Sequence, residues 1–150
     1  MNNIKDFENL NQKKILLRLD LNVPLKDGVI TDQTRINKII PVIEFLLNKN
    51  SKIIIISHVG RPKGKINNDL SLKPICENLE KKINRKIKLI DDDIFKLKKE
   101  DLLKDPNDQI VCLENIRFYK EEENNDISFA KHLAGLADLF VNDSFSCSHR

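Results

Sequence analysis

Residues able to grip an anion recur where short apolar runs give way to turns. Asp20 and Asn22 follow the run Ile15–Leu21, His58 and Arg61 follow Ile53–Ile56, and Asn115 and Arg117 follow Ile110–Leu113. Asn142, Asp143, His149 and Arg150 follow Leu139–Val141, and Arg35 falls at the start of a helix-period segment. Arginine presents a planar fork of N–H donors that matches carboxylate and phosphate oxygens. A helix start adds backbone N–H groups and the positive end of the macrodipole. The chemistry implied is the holding of a small anion bearing a hydroxyl. A single arginine is more often a carbonyl cap or a surface ion pair, so the inference rests on the clustering, which does not name the ligand.

Other candidates carry less. Asp91-Asp92-Asp93 offers oxygens to a hard cation, but consecutive carboxylates diverge, and a solvated strand end is expected. Glu121-Glu122-Glu123 reads as an exposed turn or helix start, and His132, beside Lys131, as a surface residue without a metal-ligand pattern. Cys76, Cys112 and Cys147 show no Cys-x-x-Cys spacing; reduced thiols are expected, Cys112 as inert core. Cys147 and His149, two residues apart in a loop, do not make a nucleophile–base pair. No metal ligands are expected.

The elements that must place these groups alternate. Strands are predicted over Ile15–Leu21, Ile53–Ile56, Ile87–Ile90, Ile110–Leu113 and Leu139–Val141. Between them fall helical stripes: Ile36, Ile39, Ile40, Ile43, Leu46 and Leu47, capped by Thr31 or Asp32 and kinked at Pro41; then Ile75, Leu79 and Ile83, capped by Ser71; then Ile127, Ala130, Leu133 and Leu136, capped by Asp126. A short charged helix is predicted over Phe95–Leu103, and turns at Lys26-Asp27-Gly28 and Asp105-Pro106-Asn107-Asp108. Such alternation implies α/β class, a three-layer α/β/α Rossmann-like open sheet, mostly parallel. Ligands of such sheets sit beyond the carboxyl ends of the strands, where the groups above fall.

The 150 residues suit one domain, and a charge of +3 from 26 basic and 23 acidic residues gives no basic face for nucleic acid. With no Trp and one Tyr there is little to stack bases. No apolar run approaches the ~20 residues of a membrane span, and the acidic N-terminus is unlike a secretory signal.

Several stretches, in one order, resemble the phosphoglycerate kinase family: Arg18-Leu19-Asp20-Leu21-Asn22-Val23-Pro24-Leu25, Ile30-Thr31-Asp32-Gln33-Thr34-Arg35-Ile36, Ser57-His58-Val59-Gly60-Arg61-Pro62-Lys63-Gly64, Leu70-Ser71-Leu72-Lys73-Pro74, Leu113-Glu114-Asn115-Ile116-Arg117-Phe118-Tyr119 and Val141-Asn142-Asp143-Ser144-Phe145 through His149-Arg150. The resemblance implies a site for 3-phosphoglycerate or 1,3-bisphosphoglycerate built from Asp20, Asn22, Arg35, His58, Arg61, Arg117 and Arg150. By that likeness His58, Arg61, Arg117 and Arg150 hold the phosphate, Asp20 and Asn22 fix the hydroxyl and carboxyl end, and Arg35 is catalytic, facing the carboxyl oxygen and the phosphoryl group in flight. Leu21 stands where the family has Phe, and Ser146-Cys147-Ser148 where it has Gly-Thr-Ala.

The resemblance further implies reversible phosphoryl transfer between 1,3-bisphosphoglycerate and ADP, a step of glycolysis and gluconeogenesis, in a cytoplasmic monomer. Mg-ATP and Mg-ADP would be bound by a second domain. No Gly-x-x-x-x-Gly-Lys loop occurs here, so no cofactor is expected in this chain. Residues 1–150 are expected to be an incomplete N-terminal domain, inactive by itself. Two rivals are a stand-alone, non-catalytic module that binds a phosphorylated metabolite, and a receiver-type signalling domain. The second needs an acidic pair after strand one, where Asp20 stands without an acidic neighbour.

Overall fold

A computed structural model describes residues 9–143. The elements are β1 (Lys14–Leu19), β2 (Leu25–Lys26), β3 (Val29–Ile30), α1 (Thr34–Asn48), β4 (Lys52–Ile56), α2 (Lys73–Ile83), β5 (Lys88–Ile90), β6 (Ile110–Leu113), α3 (Lys120–Glu123), α4 (Ile127–Ala134) and β7 (Leu139–Asp143). The main sheet has the order β5-β6-β4-β1-β7, and every pair in it is parallel. Ile15 lies between Ile53 on β4 and Leu139 on β7.

Strand periodicity splits the core in two. Ile15, Leu17, Leu19, Ile53, Ile55 and Cys112 meet Ile36, Ile39 and Ile43 of α1 and Ile75 and Leu79 of α2. Leu16, Ile54, Ile56, Val111 and Leu113 pack on the other side with Phe129 and Leu133 of α4. Each such side chain contributes about 1.5–3 kcal/mol by leaving water. Parallel strands covered on both faces are apolar on both faces, and all five residues of β4 are buried. They include Lys52, whose Nζ donates to the carbonyls of Asp105, at 3.3 Å, Pro106, at 3.0 Å, and Asp108.

Handedness places the helices. The chain moves from β1 to β4 to β5 in one direction across the sheet, then back from β5 to β6 and on to β7. Right-handed crossovers put connections running in opposite directions on opposite faces. α1 and α2 thus share one face, and α4 with the turns before β6 the other. The connections leaving the adjacent strands β4 and β6 lead to opposite faces, which makes their carboxyl ends the topological switch of the sheet.

Local expectations change at Phe95–Leu103, at Asn142 and Asp143, and at His132, while the turn at Lys26-Asp27-Gly28 is found where expected. Phe95–Leu103 is two 3-10 turns, Ile94–Lys96 and Lys99–Asp101, with extended Leu97 and Lys98 between. Ile94 from the first turn and Leu102 and Leu103 from just after the second all pack on the sheet face. Lys26-Asp27-Gly28 belongs to the β2–β3 hairpin, Asp27 at φ 52° and Gly28 at φ 76°, the two left-handed positions of a tight hairpin turn. Asn142 and Asp143 lie on β7, level with Arg18 and Leu19, rather than beyond it. α1 runs through Pro41 without ending. Its Thr34 N–H donates to Asp32 Oδ1 at 2.9 Å, and Asp126 caps α4 by accepting from Phe129 N–H at 3.1 Å. His132 is half-buried and its Nε2 donates to Leu97 O at 3.0 Å, so it docks α4 onto the 3-10 turns instead of standing free on the surface.

Candidate functional site

The loop after β1 folds around one carboxylate. Asp20 is buried, and its Oδ1 accepts from the Asn22 N–H at 3.2 Å and from Arg35 Nη1 at 3.0 Å. Arg35 Nη1 also donates to Asn22 O at 3.1 Å. Arg35 is thus drawn from the first turn of α1 to the end of β1. Its Nη2 and Nε have no partner among the described residues. Asn22 in turn accepts from the Gly60 N–H through Oδ1 at 3.0 Å.

The loop after β4 is tied at both ends. Ser57 is buried, donates through Oγ to Leu19 O at 2.7 Å and accepts from the Leu21 N–H at 3.1 Å, clasping the ends of β1 and β4. Gly64 N–H donates to Arg117 O at 3.1 Å. His58 is half-buried between these ties, and Arg61 is exposed. No contact links Arg61 to the other groups among the described residues.

The turn after β6 depends on Asn115, a fully buried side chain. Its Nδ2 donates to Val59 O and Leu70 O, each at 2.9 Å, and its Oδ1 accepts from the Arg117 N–H at 3.0 Å. Glu114 accepts from Ser71 Oγ at 2.6 Å, from the Leu72 N–H at 2.8 Å and from the Asn115 N–H at 2.9 Å. Ile116 N–H donates to Ser57 O at 3.1 Å. One polar network thus holds the β1, β4 and β6 loops and the approach to α2. Sequence reasoning set Asn115 beside the ligand-facing groups; the structure commits both of its N–H donors and its carbonyl oxygen to the scaffold. Ser57 and Glu114 went unnoticed. The signal available was their position, polar residues abutting the apolar strands β4 and β6.

Arg117 borders a cleft of about 610 Å³ with Arg18 and Glu122, floored by Leu16, Ile56 and Phe129. Arg18 Nη2 lies 3.2 Å from Glu122 Oε1 and Arg117 Nε lies 3.9 Å from the same oxygen.

These groups converge electrostatically on His58. Burial pushes its imidazole down to about 4, and the Arg117, Arg18 and Arg35 charges push the same way against Asp20. The ring is therefore neutral at pH 7 without ligand. Asp20, Asn22, Arg35, His58 and Arg117 are gathered at one rim, and Arg18 with them; Arg61 is on the tied loop but apart, and Arg150 lies outside the described residues. Such a rim presents fixed donors suited to an anion, which need not reorganise as charge moves. Among the described residues no cluster of His, Cys, Asp and Glu fits a metal ion, and Asp91, Asp92 and Asp93 are exposed, with Asp93 capping the first 3-10 turn.

The family profile described as phosphoglycerate kinase matches residues 4–150. The phosphoglycerate kinase of Wolbachia pipientis wMel is 54% identical over 151 residues, covering 99% of this chain and 37% of that protein. That of Dictyoglomus turgidum is 47% identical over 143 residues, 95% of this chain and 36% of that protein. Among solved structures, phosphoglycerate kinase from Coxiella burnetii superposes with a TM-score of 0.85 at 36% identity, over 98% of this chain and 36% of its own. That from Pyrococcus horikoshii OT3 gives 0.83 at 30% identity, over 100% and 38%. The chain thus spans little more than a third of the length of the relatives it matches.

Proposed function

The chain belongs to the phosphoglycerate kinase family, and from that premise we propose that it is the N-terminal, substrate-holding domain of such a kinase. The whole protein would pass a phosphoryl group reversibly between 1,3-bisphosphoglycerate and ADP in the cytoplasm, acting as a monomer. Among the described residues no helix is long and apolar enough to cross a membrane, in keeping with that setting. The observation that carries the reading is Arg35, held by Asp20 Oδ1 and Asn22 O with Nη2 and Nε left for a ligand.

Phosphoryl transfer asks for positioning and charge neutralisation more than for covalent help. Arg35 meets the carboxyl oxygen and the moving phosphoryl group, and its tether to Asp20 keeps the guanidinium in place as charge spreads. Asn22, with Asp20, orients the hydroxyl and carboxyl end. His58, Arg61, Arg117 and Arg150 take the far phosphate. Guanidinium groups do not suit Mg²⁺, and Asp20 is committed to Arg35. The Mg-nucleotide is accordingly assigned to the part of the kinase not represented in these 150 residues.

Calorimetric titration with 3-phosphoglycerate tests the reading. Saturable binding that weakens with salt is expected, and no heat of binding would refute the substrate assignment. In a complete kinase carrying these residues, Arg35→Ala should lower kcat by roughly 10²–10³-fold, the usual loss for one donor aimed at developing charge. KM for 3-phosphoglycerate should change far less; an unchanged kcat would remove Arg35 from its role.

A further inference from the structure

Glu121, Glu122 and Glu123 read in sequence as one solvated acidic face, but only Glu122 is engaged. Its side chain is 15% exposed, and its Oε1 lies 3.2 Å from Arg18 Nη2 and 3.9 Å from Arg117 Nε. Among the described residues neither Glu121 nor Glu123 makes an ion pair or a side-chain hydrogen bond. Arg117 Nε is buried without a hydrogen-bond acceptor, and its terminal Nη groups have no partner among the described residues. The turn carrying Glu122 is itself pinned. Glu122 N–H donates to Tyr119 O at 3.2 Å, Asp126 N–H to Glu121 O at 2.9 Å, and the Ile94 N–H to the Tyr119 hydroxyl at 2.9 Å.

Arg18 comes from β1 and Arg117 from the turn after β6, and β4 lies between those strands. Nothing else described joins the two guanidinium groups, which repel as like charges. A carboxylate between them offsets that repulsion and fixes the distance across β4. It engages one edge of Arg117 and leaves the terminal N–H groups for a ligand.

We infer that Glu122 is a positioning residue for the glycerate-phosphate site, setting Arg117 against Arg18 so that Arg117 meets the phosphate in a fixed pose. The inference rests on the phosphoglycerate reading above and deepens it. A carboxylate near a phosphate site repels the ligand by its charge, so its removal has two opposed consequences. Loss of the pose weakens binding, whereas loss of the charge alone tightens it.

The experiment is steady-state kinetics of Glu122→Gln in a complete kinase carrying these residues, with Glu123→Gln as control. Glu122→Gln should raise KM for 3-phosphoglycerate roughly ten- to a hundred-fold, as expected of a contact displaced by about 1 Å, and leave KM for Mg-ATP and the melting temperature near wild type. Glu123→Gln should change none of these. A KM for 3-phosphoglycerate that stays at the wild-type value, or falls, overturns the inference. If Glu122→Gln does not fold, Glu122→Asp, which keeps the charge and shortens the reach, should raise the same KM several-fold, and a wild-type value there overturns it equally. Failure of wild type to use 3-phosphoglycerate at all removes the functional reading and the inference together; normal wild-type turnover with an indifferent Glu122 removes only the inference.

Discussion

The surroundings of His58 give the rim a pH dependence with a definite sign. The imidazole's ordinary value near 6.5 falls to about 4 in the fold, first through burial and then through the Arg117, Arg18 and Arg35 charges. The unfolded chain therefore binds more protons than the native one between these values. By linkage the stability His58 contributes is complete above about 6.5 and is lost as pH falls towards about 4. Denaturant unfolding across that window should show stability declining with acid, and His58→Gln should flatten that part of the profile; an unchanged slope would contradict the assignment. A bound dianion reverses the local field and favours the imidazolium. Binding of 3-phosphoglycerate near pH 5.5 should therefore take up more protons, or release fewer, in wild type than in His58→Gln, read as a difference in the dependence of calorimetric heat on buffer ionisation enthalpy; the ligand's own phosphate, with a second pKa of about 6, contributes to both, and equal dependences would contradict the assignment.

At the scale of elements, Asn115 ties the turn after β6 to both ends of the connection between β4 and α2, and Ser57 and Asn22 join the loop after β1 to the same connection. Asn115→Ala removes two donors and one acceptor from a fully buried position, leaving Val59 O, Leu70 O and the Arg117 N–H without their partner. Each buried orphan costs about 1–3 kcal/mol, so a loss of roughly 3 kcal/mol or more is expected in chemical denaturation. Weaker 3-phosphoglycerate binding should accompany it, because Arg117 and the His58 loop lose a common support. Gly64 adds a second constraint. It sits at φ 75°, where a Cβ would meet Lys120 Cγ and, at 3.1 Å, Lys120 Cα, so a side chain there would push the loop away from α3.

These elements differ in how plainly they were written. Ile53-Ile54-Ile55-Ile56 can be little other than a two-faced buried strand, and Asp126 ahead of Leu133 and Leu136 announces a capped helix, although α4 buries Phe129 with Leu133 and leaves the expected Ile127 and Ala130 exposed. The fold class followed from such segments because apolar period and capping are local signals. Asn115 was misleading for a physical reason: a polar residue just past a strand satisfies a ligand or the scaffold equally well, and only the carbonyls of Val59 and Leu70, far away in sequence, decide between them. Glu122 was concealed by identical neighbours, since only the turn geometry decides which of three carboxylates faces inward. Leu97 and Lys98 interrupt a charged segment that composition would allow as a helix, and it is the sheet face beneath that draws the chain into two short turns.

Taken as a molecule, the site follows from strand order. Because the chain runs outward from β1 through β4 to β5 and then back, the connections leaving β4 and β6 lead to opposite faces, while the bonds from Ile116 N–H to Ser57 O and from Asn115 Nδ2 to Val59 O keep their first residues together at the carboxyl edge, with His58 and Arg117 close by. Such an edge suits an anion, but a kinase must also hold the nucleotide in line with it, and the proposed function gives every cation gathered here to the acid's side of the reaction. The chain matches 36–38% of the lengths of its relatives in Wolbachia pipientis wMel, Coxiella burnetii and Pyrococcus horikoshii OT3, which leaves ample length for a nucleotide site elsewhere. The 150-residue chain by itself should therefore bind 3-phosphoglycerate yet show no steady consumption of ATP in a coupled assay, whereas a full-length kinase containing it should show both. Sustained, 3-phosphoglycerate-dependent turnover by the short chain would mean that this edge of the sheet accommodates both substrates, and the division of labour argued from its charge would be wrong.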